Sequence, residues 1–382
     1  MLPPFAFLNN SKIDSFTTLF NKLTNVGMIK SCGFFKNNES TLDNLKSSPE
    51  TGNAVRESTE VFKLEPQSET DVMRKRDKGR PVEFSAIFML RLLISYTFTG
   101  AEILAGYFRL PISKIAGVGK STAYNFMDNP KHNWKKLLMM IAFKAYLLIQ
   151  KYSDDDFSAL ICDDSNIHRR RAKKVELCAR NYDHVEKKNT KGYLMFPIAY
   201  TNRSTSFPIN LAVISTNNED HVVTVSRTDL DRRTVGYARR QQAAMKKNEV
   251  VVELVKESLN QGFTAEYFMT DNWFTCNNDL VIDIVGLGLK YLGMDKNFTQ
   301  KYLYEGKEYS VNELQHFMVK NPCTTNSDIL GHTVIIVPLS KGKSKTMTEN
   351  EYKNACVPAK LVWLKARGRA PKSYVFCVLI YL

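Results

Sequence analysis

At 382 residues the chain is longer than a single hydrophobic core usually serves, so two or three structural units are expected. Hydrophobic residues make up 43% and charged residues 24%, which excludes a disordered composition. The 53 Lys and Arg exceed the 39 Asp and Glu and leave a net charge of +14, which favours a polyanionic partner, because each neutralised phosphate releases condensed counterions. Charge alone does not separate DNA from RNA, or either from an anionic membrane. No apolar run approaches the ~20 residues that span a bilayer, and Met1 to Asn10 lacks a basic segment followed by a long apolar one, so neither membrane insertion nor secretion is expected. The seven cysteines are odd in number and form no C-x-x-C pair, which points away from a zinc ribbon or a disulfide framework and towards a reducing compartment.

In chain order, residues 11–35 carry an amphipathic helix pattern, with Ile13, Phe16, Leu19, Phe20 and Leu23 on one face. Residues 36–70 are polar and read as a linker or arm, and a basic cluster follows at Arg74, Lys75, Arg76, Lys78 and Arg80. From Phe84 to Gln150 the period is helical. Within that region Gly117 and Gly119 precede a Ser-Thr-Ala-Tyr helix start, which matches a helix-turn-helix reader of DNA; a plain helical bundle fits the same pattern. Ser158–Cys162, Tyr193–Tyr200 and Phe207–Ser215 then read as a three-stranded antiparallel meander. A helix at about 241–261, a strand at Tyr267–Thr270, a helix near Asn277–Val285 and a strand at Lys290–Met294 follow. Thr333–Leu339, Lys360–Lys365 and Tyr374–Tyr381 are the clearest strands beyond them.

Two apolar strands stop at carboxylates: Leu160-Ile161-Cys162 at Asp163-Asp164, and Tyr267-Phe268-Met269-Thr270 at Asp271. Carboxylates held at one sheet edge repel one another, and a divalent cation relieves that repulsion. Oxygen ligands without clustered His or Cys select Mg²⁺ or Mn²⁺ over zinc. Two such ions can activate a water or 3′-hydroxyl and stabilise the leaving oxygen of a phosphodiester. Taken singly, a strand-end aspartate is more often a turn former or helix cap.

The ordered set of motifs is more specific than either aspartate. Ile161-Cys162-Asp163-Asp164-Ser165, Lys173-Lys174-Val175-Glu176-Leu177, Tyr182-Asp183-His184-Val185 and Lys191-Gly192-Tyr193, then Arg233–Arg240 and Asp271-Asn272-Trp273-Phe274-Thr275, closely resemble bacterial DDE transposases of the "insertion sequence four" family, over roughly Phe84 to Tyr374. The resemblance implies an RNase H-like core, a mixed α/β sheet with flanking helices, a helical N-terminal region and a β-rich insertion after the second aspartate. It implies cut-and-paste cleavage and joining of double-stranded DNA, at inverted-repeat element ends and at target DNA, by a homodimer on DNA in the bacterial cytoplasm, with Mg²⁺ or Mn²⁺. The family's first aspartate precedes a small hydroxyl residue or glycine, which maps to Asp164, with Asp163 a neighbour that tunes the site; the second maps to Asp271.

The family's third ligand, a glutamate within Y-x-x-R-x-x-x-E-x-x-x-x-x-x-K, has no match between Asp271 and Leu382. Glu349 and Glu351 lie in a polar stretch with no Arg three residues after a Tyr, and Val375–Leu382 reads as the last core strand with the following helix missing. A truncated, inactive copy is therefore expected. Its divisions are residues 1–80 (helix and basic linker), 81–150 (DNA-binding helices), 151–296 (catalytic core) and 297–382 (β-rich insertion and last strand). The alternative is a non-catalytic fragment that binds DNA or dimerises and competes with an intact transposase; a second is a structure-specific nuclease.

Cations bracket the aspartates. Arg169, Arg170, Arg171, Lys173 and Lys174 follow the first, and Arg227, Arg232, Arg233, Arg239 and Arg240 precede the second. Beside a metal site these would hold phosphates, although a charge run is usually a solvated face. Gly119-Lys120-Ser121-Thr122 imitates the end of a P-loop, but the first glycine of that motif would fall at Lys114 and no apolar strand leads into it. Lys120, Ser121, Thr122 and Tyr124 fit the start of a DNA recognition helix instead.

Overall fold

A computed structural model describes residues 72–74, 83–97, 101, 103–110, 117–153, 156–183, 185–216, 218–227, 229–295, 301–318, 329–365 and 375–381. The amphipathic segment expected over 11–35, the polar arm over 36–70 and most of the basic cluster at 74–80 lie outside them. Those up to Ala145, together with Asp229–Ala238, form one compact unit, and those of Tyr146–Thr228 and Arg239–Leu382 form a second.

The first unit opens with a short antiparallel pair, β1 (Val72–Arg74) and β2 (Glu83–Phe84), followed by helices α1 (Ala86–Thr97), α2 (Leu104–Tyr107), α3 (Lys120–Met127) and α4 (Trp134–Tyr152), the last of which runs on into the second. The Ser85 hydroxyl caps α1 by accepting the Phe88 amide at 3.2 Å, and the Asn133 side chain caps α4 by accepting the Lys136 amide at 2.8 Å. Phe88, Met89 and Leu92 on α1 bury against Leu104, Tyr107, Val118 and Ala123. The opposite stripe, Ala86 and Leu90, packs on Leu137. Two apolar faces on one helix explain why the stretch from Phe84 to Tyr96 is apolar almost throughout. Gly117, at φ +63°, takes a left-handed conformation that permits the turn into α3.

The second unit is built on β3 (Ala159–Cys162), β4 (Ser165–His168), β5 (Ala179–Asp183), β6 (Lys188–Thr201) and β7 (Ser206–Ile214), then the part of helix α5 (Val235–Ala243) from Arg239 on and helix α6 (Lys247–Gln261). Next come β8 (Tyr267–Thr270), α7 (Asn272–Thr275), α8 (Asn278–Val285) and β9 (Lys290–Asp295). Strands β7, β6, β3, β8 and β9 lie side by side in that order; β3 is antiparallel to β6 and parallel to β8, and β9 is parallel to β8. Parallel neighbours require a crossover, which the helices between β7 and β9 provide. This is the RNase H-like arrangement, a mixed α/β sheet with flanking helices. In β6 buried residues alternate strictly from Thr190 to Tyr200. Helix α6 lays Val250, Val251, Leu254 and Val255 on the sheet. The buried Asn210 of β7 is satisfied by α6, donating to the Leu254 carbonyl and the Glu257 carboxylate, each at 3.0 Å.

Beyond the core the sheet continues through β10 (Lys301–Tyr304), β11 (Lys307–Ser310), α9 (Val311–Met318), β12 (Ile329–Val337), α10 (Lys341–Ser344), α11 (Glu349–Ala355), β13 (Val357–Lys365) and β14 (Val375–Tyr381). The strand expected at Tyr374–Tyr381 joins the sheet as β14, antiparallel to β9 from Cys377↔Asp295 to Ile380↔Leu292 and also paired with β13. Fifth place in the core order belongs to β9.

Three differences from expectation have local causes. The single helix expected over 241–261 is two, because the Ala243 carbonyl accepts the Ser215 amide at 2.8 Å and so leaves the helical ladder. Strands β4 and β5 carry mixed burial and no clean alternation, yet both pair with the long β6. The polar stretch around Glu349 is helix α11, closed by a capping box between Thr348 and Glu351.

Gly192 sits where β6 crosses both β4 and β5, and a Cβ there would stand 2.1 Å from the Ile167 carbonyl oxygen. Backbone cannot give way as a side chain can. Gly192→Ala should therefore cost about 1–3 kcal/mol, read as a lower thermal midpoint, while Gly342→Ala, whose Cβ would stand 3.9 Å from the Ser340 hydroxyl, should leave it unchanged.

Candidate active site

The site is assembled by strand register. Parallel pairing of β3 with β8 sets Cys162 opposite Thr270, so the residues that follow, Asp163 and Asp271, leave adjacent strands at the same edge. On the other side of β3, Cys162 pairs with Ile198 of β6 and pairing resumes at Ser165 with Met195. The ladder lapses at Asp163 and Asp164, opposite Pro197 and Phe196. Proline offers no N–H to a neighbour, which suits it to that gap.

The Asp163 carboxyl senses its neighbours. Burial raises the Asp163 carboxyl above the usual range, its bond from the Asp164 amide works against this, and the charges of Asp164 and Asp271 raise it further. Beneath them the Cys162 thiol is pushed up by burial and then by the charges of Asp163, Asp164 and Asp271. A sheet edge with three such neighbours is a concentrated negative field of hard oxygen donors, which suits Mg²⁺ or Mn²⁺. The chemistry of the donors suits the ion that the resemblance implies, although Asp163, Asp164 and Asp271 do not all bring ligand atoms within 4.8 Å of one another.

Each aspartate also has local work. Asp163 accepts the Asp164 amide at 2.8 Å, and Asp271 caps α7 by accepting the Trp273 amide at 3.0 Å. The Asp271 carbonyl accepts the Thr275 hydroxyl at 3.0 Å, and the Thr270 hydroxyl lies 2.5 Å from that of the buried Tyr291. Phe196 and Phe274 meet edge to face at 5.8 Å, tying β6 to α7 beside the aspartates. The sequence reads both Trp273 and Phe274 as core packing; Phe274 is buried, but Trp273 is exposed and does not pack in the core.

Not every cation is free for a ligand. Arg169, Arg170, Arg171, Lys173 and Lys174 are exposed; Arg169 donates to the His168 carbonyl at 3.0 Å and Arg170 pairs with Glu186. Arg239 donates to the Leu211 carbonyl at 3.0 Å and to Gln242. Arg240 is bound by Glu176, which also accepts the Arg227 amide at 2.9 Å. The Lys-Lys-Val-Glu and Tyr-Ala-Arg-Arg motifs are thus two halves of one ion pair. In the first unit Lys120, Ser121 and Tyr124 are exposed on α3 and Thr122 is half-buried, while Ala123 faces inward. The Lys120 ammonium lies 5.9 Å from the centre of the Tyr124 ring.

A second cluster, absent from the sequence expectations, joins His168, Asp183 and Glu186, whose ligand atoms lie within 4.8 Å of one another; no other group of three His, Cys, Asp or Glu meets that spacing among the described residues. Its carboxylates are already engaged, while the buried His168 Nδ1 has no hydrogen-bond partner among the described residues. Asp183 accepts the Val185 and Glu186 amides and faces His168 Nε2 at 3.2 Å, while Glu186 is held by Arg170 and Lys188. It reads as a clasp on the β5–β6 turn. No glutamate forms a group of three ligands with Asp164 and Asp271 among the described residues. Glu349 pairs with Lys353 and Glu351 caps α11.

Residues 111–296 match the model of the family described as "DDE superfamily endonuclease". No curated protein matches the chain. Among solved structures it is similar to the Drosophila P element transposase strand transfer complex, at 11% identity and a TM-score of 0.30, covering 71% of this chain and 57% of that one. It is also similar to the NurA nuclease from Sulfolobus solfataricus, at 9% identity and a TM-score of 0.26, covering 64% and 79%. The chain thus spans little more than half the length of the transposase. Among the described residues no helix is long and apolar enough to cross a membrane.

Burial would raise the Glu176 carboxyl, but hydrogen bonds from Arg240, the Arg227 amide and Ser226 outweigh it and hold the group below the usual range. A depressed carboxyl stabilises the fold above its unfolded value of ~4.3 and loses that contribution as pH falls through the folded value. Arg240→Gln should lower stability by about 1–3 kcal/mol at pH 7, the pair being only partly buried. In urea titrations at pH 7 and pH 3.5, Glu176→Gln should lose less stability on acidification than the unaltered chain.

Proposed function

We propose that the chain is a transposase of the "insertion sequence four" kind, whose core acts on DNA phosphodiesters with Asp164 and Asp271 as ligands for Mg²⁺ or Mn²⁺. One observation carries this reading: two carboxylates remote in sequence end adjacent strands of an RNase H-like sheet, within a segment matching DDE endonucleases. When bound, the ions would supply activation of a water or 3′-hydroxyl and stabilisation of the leaving oxygen. The chain supplies the rest. Asp271, fixed by its cap on α7, and Asp164, between β3 and β4 where pairing with β6 lapses, present oxygen donors. Arg169, Arg171, Lys173 and Lys174 offer exposed charge to backbone phosphates, and Arg170 does so only by leaving Glu186.

In this reading residues 81–150 recognise element ends, with Lys120, Ser121, Thr122 and Tyr124 of α3 towards the duplex; residues 151–296 form the catalytic core and 297–382 the β-rich insertion. Pairing of two ends implies a homodimer on DNA, in a bacterial cytoplasm at the nucleoid. With Asp164 and Asp271 but no glutamate beside them among the described residues, the metal site is short of one charge. Strand cleavage by this chain alone is expected near background. That shortage also favours the second reading, a non-catalytic protein that binds DNA or dimerises and competes with an intact transposase.

In a plasmid-nicking assay with Mg²⁺ or Mn²⁺ and the element's inverted repeats, the chain should cut barely above the level of Asp164→Ala and Asp271→Ala. Strong cutting lost in both variants would retain the site and refute the inactivity; cutting that survives both would remove the site. Independently, Lys120→Ala with Tyr124→Ala should weaken binding to end DNA about 5–30-fold, as expected for losing ~1–2 kcal/mol of contacts. Fluorescence anisotropy measures it, and unchanged affinity would take α3 off the DNA.

A further inference from the structure

Helix α6 begins against the usual rule. Its N-cap is Lys246, which makes no side-chain cap bond, and its first residue is Lys247, so two cations crowd the positive end of the helix dipole, offset in the first turn only by Glu249. Local rules are broken most often where a site requires it. The compensation is visible: the Lys247 ammonium lies 3.6 Å from Asp164 Oδ2 and 5.8 Å from the centre of the Phe196 ring. Phe196 is buried and rigid, held between the sheet and Phe274. The lysine stem is thus aimed at one particular carboxylate.

Resting on the proposed role of Asp164 as a metal ligand, we propose that Lys247 is a positioning residue that competes with the divalent cation for Asp164. An ammonium and a metal ion draw on the same carboxylate charge, and an oxygen cannot satisfy both fully. The Lys247 side chain is 43% exposed and that of Asp164 34%, so the pair is weak enough to be exchanged. Release is cheap for a flexible four-carbon stem, and the freed ammonium then has a DNA phosphate as its natural partner. In the absence of the ion, the pair offsets the repulsion among Asp163, Asp164 and Asp271 and so stabilises the metal-free edge. Lys247 gates loading of the site rather than taking part in bond breaking.

The test is Mn²⁺ binding to the full chain, followed by electron paramagnetic resonance of the free ion. Lys247→Met keeps the stem and removes the charge, and it should tighten Mn²⁺ binding ~2–5-fold, the range expected from losing a partly exposed ion pair. Lys247→Arg restores a cation and should return the affinity towards that of the unaltered chain, which a merely structural role for the stem would not do. Asp164→Asn should weaken binding strongly and make the Lys247→Met effect vanish. If Asp164→Asn weakens binding but Lys247→Met leaves it unchanged or weaker, the competition is refuted while the metal site stands. If neither Asp164→Asn nor Asp271→Asn alters Mn²⁺ binding, the metal site is refuted and the competition with it.

Discussion

The parallel pairing of β3 with β8 is the constraint on which the rest of the molecule depends. A shift of one residue in that register would turn every side chain of one strand to the other face, and Asp163, Asp164 and Asp271 would no longer share an edge. The register is held on both sides. Antiparallel β6 fixes β3 from Ala159 to Cys162, and parallel β9 fixes β8 from Tyr267 to Thr270. Below the edge, Phe268 and Tyr291 pack as neighbouring rings on β8 and β9. Above it, Gly293 leaves room for Thr275, whose hydroxyl holds the Asp271 carbonyl; a Cβ at Gly293 would meet that hydroxyl at 2.1 Å.

Most of the core was legible in the sequence because its strands are apolar runs that end abruptly at carboxylates. The strand at Tyr267–Thr270 has the bounds expected of it, and β3 begins one residue later than expected. Helix α6 was legible through its valines, and its start was not, because the break at Ala243 is imposed by a bond from the end of β7. Strands β4 and β5 were not legible. They lie on the outlying half of β6, where half-exposed residues such as Arg180, Asn181 and Tyr182 need no alternation. Their pairing is dictated by β6 and by Gly192 rather than by their own pattern.

The motif set is better explained by the structure than by chemistry alone. Glu176 of one motif and Arg240 of another form a half-buried ion pair, and the Tyr193 hydroxyl of a third donates to the Glu176 carbonyl at 2.9 Å. Asp183 of a fourth organises its own turn and meets His168. Residues that sequence spacing grouped as a phosphate-binding track therefore divide. Arg239 and Arg240 are spent inside the fold, and Lys247, which spacing did not mark, stands beside the aspartates. Only the residue opposite a charge, and not the density of charge along the chain, tells the two apart.

That division bears on how the net charge of +14 is read. A lysine or arginine already neutralised by a carboxylate releases little when a phosphate arrives, so the electrostatic drive for DNA comes from the cations left in water. In the core these are concentrated in the loop that follows β4, at Arg169, Arg171, Lys173 and Lys174, a few residues from the Asp163–Asp164 gap in the ladder. The same short segment thus carries a negative edge suited to cations and a positive loop suited to phosphates. Opposite charges so close in sequence would collapse onto each other in a flexible peptide. Here β4 intervenes, tied to β6 from Ser165 to His168, and four residues of rigid strand hold the carboxylates and the basic loop apart.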